Sequence, residues 1–423
     1  MARRMQTLEH RLQDNSNEPD GGYGWVCVAA CFTINAFTWG VVSSYGVYLA
    51  HYLSNETFTE ARPIDFAFIG GLNFAVAMLA APVVTALVRR YEIHLPMSLG
   101  ILMFGIAYAS ASFSWRIWQL YLSQGVLVGL GVGFLYIPSI AILSQWFSTK
   151  RSLANGISAA GSGIGGLIFS LSTGATIENL GLAWSLRLVG VMAVTVNTLA
   201  TIFIRSRNRV VQPASIPFDV VLLRRYEVFL LLTWAFISMF GYIVLLFSLS
   251  DYAISIGLSR DQAVQITAYL NLGTAVGRPV IGTISDRYGR IEIAGLLTLL
   301  CGLCCFVLWL PFQSFAVTVV FAIISGAILG VFWVTIGPLC VEVAGLEELP
   351  SLLSLAWLTT VLPTAFSETI ALQLRRPGMK REYLYPQIFS GLSYILASFC
   401  LWELRRHRKS LSRTDAARNQ STR

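Results

Sequence analysis

Residues 271–290 read NLGTAVGRPVIGTISDRYGR, apolar at the start and charged at the end. One cation, Arg278, sits inside the apolar part. Eight residues on, Asp286-Arg287-Tyr288-Gly289-Arg290 makes a short charged turn, and a new apolar run begins at Ile291. A charge inside an apolar helix is expensive, so it faces a cavity or a partner. A short basic turn between two apolar helices is usually cytoplasmic. The stretch therefore predicts two membrane helices joined by a tight loop, with a functional cation in the first.

The rest of the chain extends this reading. Its 423 residues are 55% hydrophobic and 12% charged, where soluble domains carry about 25% charged residues. The expectation is an all-α polytopic membrane protein of twelve transmembrane helices in two six-helix bundles, since twelve spans of about 20 residues with short loops fit the length. Apolar runs fall at 24–49, 66–88, 95–113, 117–145, 153–175, 182–204, 228–250, 263–285, 291–310, 315–341, 350–374 and 384–404. This divides the chain into a cytoplasmic N-terminal tail (1–23), an N-terminal bundle (24–204), a cytoplasmic linker (205–225), a C-terminal bundle (226–404) and a cytoplasmic C-terminal tail (405–423). Met1–Pro19 is polar, and the run after it is longer than a signal-peptide core, so no cleaved signal is expected.

Most of the 30 Lys and Arg residues fall in the segments this topology places inside, as the positive-inside rule requires. Two loops break the pattern: 375–383 is outer but basic, and 342–349 is inner but acidic. The net charge of +8 resides at helix ends and does not point to nucleic acid. The expected partners are the lipid bilayer and a small-molecule substrate.

Several polar side chains lie mid-span. Arg278 is the sharpest candidate for ligand contact, and Asn35, Tyr45, Asn271 and Trp357 are further candidates for a substrate site. Asn73, Tyr136 and Tyr242 are similarly placed. Each amide or aromatic has a plain helix-packing role as its alternative. Glu368 is a candidate proton-coupling residue, with a structural Arg278–Glu368 pair as the competing reading. Arg187 can snorkel to the interface. Gly125, Gly129 and Gly133, like Gly326 and Gly330, recur at a spacing that lets helices approach closely.

Other motifs are set aside. Gly161-x-Gly163-x-x-Gly166 matches a dinucleotide fingerprint but has no preceding strand. Cys301-x-x-Cys304 has no second ligand pair, so no metal and no cofactor are expected. No Ser-His-Asp set, HExxH or P-loop supports an enzyme. Asn55-Glu56-Thr57 is a glycosylation sequon in the first outer loop.

Three strings carry a family resemblance. Gly282-x-x-x-Asp286-Arg287-x-Gly289-Arg290 resembles the loop signature of the major facilitator superfamily, and Gly277-Arg278-Pro279 resembles the eighth helix of its monocarboxylate-transporter branch. Asp20-Gly21-Gly22-Tyr23-Gly24-Trp25 is similar to the motif that precedes the first span in that branch. Trp146-Phe147-Ser148-Thr149-Lys150-Arg151-Ser152-Leu153-Ala154-Asn155-Gly156 is similar to the signature leading into its fifth span. The resemblance covers about residues 20–404 and looks closest to fungal members.

It implies secondary active transport of a small organic, carboxyl-bearing solute by alternating access, with protons as a candidate coupling ion. The location it suggests is the plasma membrane. Efflux of a secondary metabolite is the alternative, and a non-transporting membrane receptor a more distant one. Two positions depart from lactate carriers: Ser43 stands where they have a lysine in the first span, and Thr274 where they have an aspartate. The family's two-fold relation between halves implies two cytoplasmic seams. One would bring Asp286, Arg287 and Arg290 to Lys150 and Arg151 at the start of the fifth span. The other would bring Arg89 and Arg90 to Glu347 and Glu348 at the start of the eleventh, which would account for the acidic inner loop.

Overall fold

The structure, a computed structural model, describes residues 20–54, 58, 61–207, 219–376 and 378–421. The sequon at Asn55 and linker residues 208–218 lie outside the described residues.

The first half begins with α1, in three consecutive pieces, Gly24–Phe37, Trp39–Ser43 and Tyr45–Ser54. Helix α2 has two, Pro63–Leu79 and Ala81–Tyr91. Then come α3 (His94–Ala111), α4 (Ile117–Trp146), α5 (Arg151–Leu180) and α6 (Leu182–Phe203). A 3-10 turn, Val220–Arg224, leads into the second half. That half holds α7 (Tyr226–Ser255), α8 (Arg260–Tyr288), α9 (Arg290–Trp309), α10 (Phe315–Ala344), α11 (Leu349–Leu374) and α12 (Leu384–Ser421).

Among the described residues, ten helices are long and apolar enough to cross a membrane, or eleven when the α2 pair, bent by 42°, is one span. Helix α8 is the twelfth rod. At 29 residues it is about 43 Å long, enough for a hydrocarbon core of about 30 Å. It is polar for a spanning rod because it carries Arg278 and a charged end. Ser259 and Gln262 start it with reciprocal bonds, the Ser259 hydroxyl accepting the Gln262 N–H at 3.2 Å and the Gln262 amide oxygen accepting the Ser259 N–H at 3.0 Å. Gly289, at φ +105°, stops it.

The continuous runs expected from sequence are interrupted at four places, one of them Ser44, between the second and third pieces of α1. Thr38 leaves helical geometry at φ −119°, ψ −81°, and its hydroxyl donates to the Ile34 carbonyl at 2.6 Å, a back-bond that bends helices. Helix α2 breaks at Ala80, two residues before Pro82, which has no N–H to continue the ladder. Helix α10 breaks at Gly330. At the other extreme, α12 does not stop at 404 but continues as helix to Ser421. Arg405 pairs with Glu292 of α9 at 2.9 Å and Arg408 with Glu342 of α10 at 3.7 Å, fastening its first extra turn.

Within the first six helices, α1 packs on α5, α3 on α4 and α6, and α2 on α4. Within the second six, α7 packs on α11 and α12, α9 on α12, and α8 on α10. Two seams join the halves, α5 against α8 and α2 against α11. Small residues of α5 let both α1 and, at the first seam, α8 pack close. Gly161 and Gly165 abut the Phe32 and Ala36 carbonyls of α1, and Gly163 abuts Asn271 and Ala275 of α8. The glycine string in α5 is therefore a packing surface. Leu102, Ile106, Val191 and Ile202 point outward from the bundle, as lipid-facing positions do.

Candidate functional site

Helix α8 lies between α5 of the first half and α10 of the second, and Arg278 is at its middle. Its side chain is 5% exposed. One guanidinium nitrogen, Nη1, donates to the Ala159 carbonyl at 2.6 Å and to the Ser162 hydroxyl, both on α5. Two glycines create its space. A Cβ on Gly156 would stand 2.4 Å from the Arg278 carbonyl, and a Cβ on Gly330 would stand 2.6 Å from Nε. The break in α10 thus falls at the residue that the arginine side chain presses against. Among the described residues no carboxylate forms an ion pair with Arg278, and its Nε is buried with no protein acceptor. A buried cation so placed leaves part of its hydrogen-bonding capacity unused, which is costly.

Beside it stands a cluster of aromatic rings drawn from both halves. Trp39 of α1 and Tyr136 of α4 meet Trp333 of α10 at 5.8 and 6.0 Å between centroids. Trp357 of α11 stacks on Trp333 at 5.8 Å and 19°, and Tyr242 of α7 approaches the same ring at 5.7 Å. Trp39, Trp333 and Trp357 are all buried, and among the described residues the indole N–H of each lacks an acceptor. Buried donors are normally satisfied. Trp39 and Trp357 each meet Trp333, and Tyr136 and Tyr242 of the same cluster interact with Arg278, so the three indoles and the guanidinium form a centre of unmet donors at the boundary between halves.

The other residues singled out from sequence take varied places. Asn35 donates to the Cys31 carbonyl and the Ser158 hydroxyl, each at 3.0 Å, tying α1 to α5. Asn271 lies against Gly163 and Gly166 of α5. The Tyr45 hydroxyl donates to the Phe66 carbonyl of α2 at 3.2 Å, away from the ring cluster. Ser43 donates to the Trp39 carbonyl at 2.8 Å and packs on Gly166. Thr274 donates to the Gly326 carbonyl at 3.1 Å. Glu368 is not joined to Arg278: both its oxygens accept from Ser248 of α7, at 2.9 and 3.0 Å. Arg187 lies over Phe113 and Trp184 at the edge of the bundle. Trp39 and Trp333 were not picked out from sequence. Their one local signal is position, Trp333 standing three residues past the Gly330 break and Trp39 one past Thr38.

At the linker end, the three sequence signatures meet on the first turn of α5. The Asp20 carboxylate accepts from the backbone N–H groups of Ser148 and Thr149 at 2.8 and 3.0 Å, and from the Thr149 hydroxyl at 2.9 Å. Partial burial pushes the Asp20 carboxyl up, but the bonds from Ser148, Thr149 and Lys150 outweigh it and hold it below its ordinary value. Asp286, from α8, accepts from the N–H groups of Ser152 and Leu153 at 3.0 and 2.8 Å. Those N–H groups have no partner within their own helix, and a carboxylate there also meets the positive end of the helix dipole. Arg290 bridges Asp286 at 3.1 Å and the Ser148 carbonyl at 2.8 Å. Arg151 turns back to the Ser144 carbonyl at 3.2 Å, and Arg287 lies over Tyr288. Lys150 presents its backbone N–H to Asp20 at 3.4 Å.

The second seam is arranged differently. Thr85 of α2 and Ser354 of α11 share a hydrogen bond of 2.7 Å. Glu348 pairs with Arg225 of the linker, Nη2 to Oε1 at 2.8 Å, and Glu347 is exposed. Among the described residues, neither Arg89 nor Arg90 forms an ion pair with these glutamates. Arg90 lies over Tyr91, and the Nε of Arg89 has no acceptor among the described residues. The acid at the start of α11 is thus met by a linker arginine that follows the 3-10 turn. Reading the two seams as mirror images left that residue out.

Comparisons with known proteins agree with this architecture. The profile of a family described as Major Facilitator Superfamily matches residues 28–367. The "Probable transporter MCH2" of Saccharomyces cerevisiae is 36% identical over 393 residues, covering 92% of this chain and 83% of the relative. The "Uncharacterized transporter ESBP6" of the same yeast is 32% identical, covering 95% of this chain and 62% of its own. The "Fujikurins efflux protein" of Gibberella fujikuroi is 28% identical, covering 82% of this chain and 75% of its own.

Proposed function

The chain belongs to the Major Facilitator Superfamily, and from that premise we propose that it carries a small organic, carboxyl-bearing solute across the plasma membrane, its two bundles rocking about a site at Arg278. The observation that carries this reading is the donor set at the boundary between halves. Among the described residues a buried guanidinium has no counter-ion and its Nε no acceptor, and three indole N–H groups of the neighbouring ring cluster are unmet. A solute with an anionic group and further oxygen acceptors would complete all four. An intramembrane cation is retained where it serves such a purpose.

The same donor set favours a solute larger than lactate. Ser43 and Thr274 occupy the positions of the lysine and aspartate of lactate carriers and are engaged with backbone carbonyls. A flat, oxygen-rich acid can both stack on tryptophan and accept from its N–H. The direction of transport is a separate matter. A relative named for fujikurin efflux favours export as the second reading within transport.

The test is a flux panel in proteoliposomes, with pH gradients of either sign. Short-chain, aromatic and larger polyoxygenated carboxylic acids would be compared. The reading expects accumulation of at least one acid, strongest among those with ring systems. No accumulation of any solute under either gradient would overturn it and favour a receptor role.

A further inference from the structure

We propose that Glu368 is a proton-binding site of this transporter, set apart from the solute site and loaded through the polar cluster at the end of the molecule opposite the linker. The proposal builds on the reading of the chain as a transporter, but its test needs no solute.

Glu368 sits within α11, six residues before that helix ends. Both carboxyl oxygens lie within hydrogen-bond distance of one group, the Ser248 hydroxyl. A hydroxyl has one proton to give, so an ionised Glu368 would hold a full charge in an apolar seam on a single hydrogen bond. Among the described residues no cation forms an ion pair with it. The arginine nearest along its own helix, Arg375, is already taken. Its Nη1 donates to Asp251 at 2.6 Å, and its Nη2 to Glu382 at 2.8 Å. A half-buried carboxylate with no counter-ion in an apolar seam lowers its cost by taking up a proton, and a neutral carboxyl suits the Ser248 contact.

The path to water runs along α7. Asp251 is three residues beyond Ser248, one turn further out on nearly the same face. Its side chain is 44% exposed. It also accepts from the Tyr383 hydroxyl, while Arg375 lies over the Tyr383 ring at 5.2 Å. Along α7 the exposed Asp251 carboxylate thus comes one turn before the Ser248 hydroxyl that meets Glu368. A proton taken from the outer water phase ends on a Glu368 oxygen, and nothing else is transferred.

The charged and titratable groups around the site come from few elements. Helix α7 supplies Asp251, and the end of α11 with the loop after it supplies Arg375, Glu382 and Tyr383. On the α2 side, Gly71 lies against the Ala365 carbonyl of α11. The α2 acid, Asp65, is six residues further out and accepts from the Tyr121 hydroxyl at 3.0 Å.

Position gives the site a consequence. Trp357 of the ring cluster is eleven residues before Glu368 on α11. That is about three turns, or ~17 Å, along one face of the helix. Protonation at Glu368 therefore acts on the same rod that carries part of the solute site. The closed α7–α11 seam seen here corresponds to the protonated form. An ionised Glu368 would draw water or Arg375 toward itself and loosen the outer end of α11.

Infrared difference spectroscopy on the purified full-length protein in nanodiscs, without solute, tests this. Spectra would be compared between about pH 5 and about pH 9, which brackets the range over which a buried acid titrates. The proposal expects a protonated-carboxyl C=O band that disappears in Glu368→Gln and changes frequency in Ser248→Ala, where the carboxyl survives but its partner is gone. A pH-difference spectrum unchanged by Glu368→Gln would overturn the proposal. So would an unmoved band in Ser248→Ala, even in a variant as heat-stable as the parent. Either failure would leave the solute site at Arg278 standing, because no flux enters the measurement.

Discussion

The carboxylate of Asp286 accepts the backbone N–H of Leu153 at 2.8 Å, so an acid from the second half caps a helix of the first. The bond exists only while the linker ends of α5 and α8 are together, and it must break if they part. Asp286→Ala should lower the stability of this closed arrangement by about 1–2 kcal/mol, the worth of a helix cap. Asp286→Asn, which keeps one acceptor oxygen, should lose less. Thermal denaturation of the two variants beside the parent checks the order, and equal stability of all three would show that the cap contributes nothing.

Asp20 gives a pH dependence whose sign is fixed. Its carboxyl is held below the ordinary value in the folded chain. Its contribution to stability is therefore fully present above the unfolded value of about 3.9 and is lost as pH falls through the lower folded value. Asp20→Asn should flatten the part of the acid destabilisation that falls below about pH 4 and leave the neutral-to-alkaline limb unchanged. Melting curves recorded as a function of pH are the check, and an unaltered acid limb would count against the contact.

Gly330 and Gly156 flank the same arginine but should fail differently. Gly330→Ala puts a Cβ at 2.6 Å from a side-chain atom of Arg278, which can swing aside. The fold should survive while solute flux falls. Gly156→Ala sets a Cβ 2.4 Å from the Arg278 backbone carbonyl, which cannot move without shifting α8. It should destabilise by about 1–3 kcal/mol, as overpacking does. Flux and melting temperature measured on each variant separate the two. A Gly330→Ala protein with full flux would show that the arginine's position is not limiting.

The pair between Arg225 and Glu348 predicts which charge reversal rescues the second seam. Glu348→Lys should impair flux modestly, because a partly exposed pair contributes only about 0–1 kcal/mol. Adding Arg225→Glu should restore it. Adding Arg89→Glu instead should not. The opposite pattern of rescue would return the gate to α2.

Much of this is legible in the sequence. Arg278 announces itself as a cation in an apolar run, and the charged turn at 286–290 marks the end of its helix. Those signals are local. The contacts that give the residues their roles are not. Asp20 meets Ser148 across 128 residues, and Trp39 meets Trp333 across the whole molecule, with nothing in either neighbourhood to announce the other. Helix breaks were also hidden, because Thr38 reads as an ordinary residue in a continuous apolar run and Gly330 as a helix-packing glycine. Arg225 was missed because exposed charges near a helix start have many candidate partners, and only the path of the linker selects one.

The central claim is that Arg278 binds the solute's anionic group at the boundary between the two halves. Its most direct test is flux of the best-transported acid from the panel into proteoliposomes bearing the parent, Arg278→Lys or Arg278→Ala. The Lys variant keeps a charge but loses the planar set of donors. The account predicts no flux through Arg278→Ala, strongly reduced flux through Arg278→Lys, and for both proteins a melting temperature close to the parent's. Undiminished flux through Arg278→Ala would contradict it.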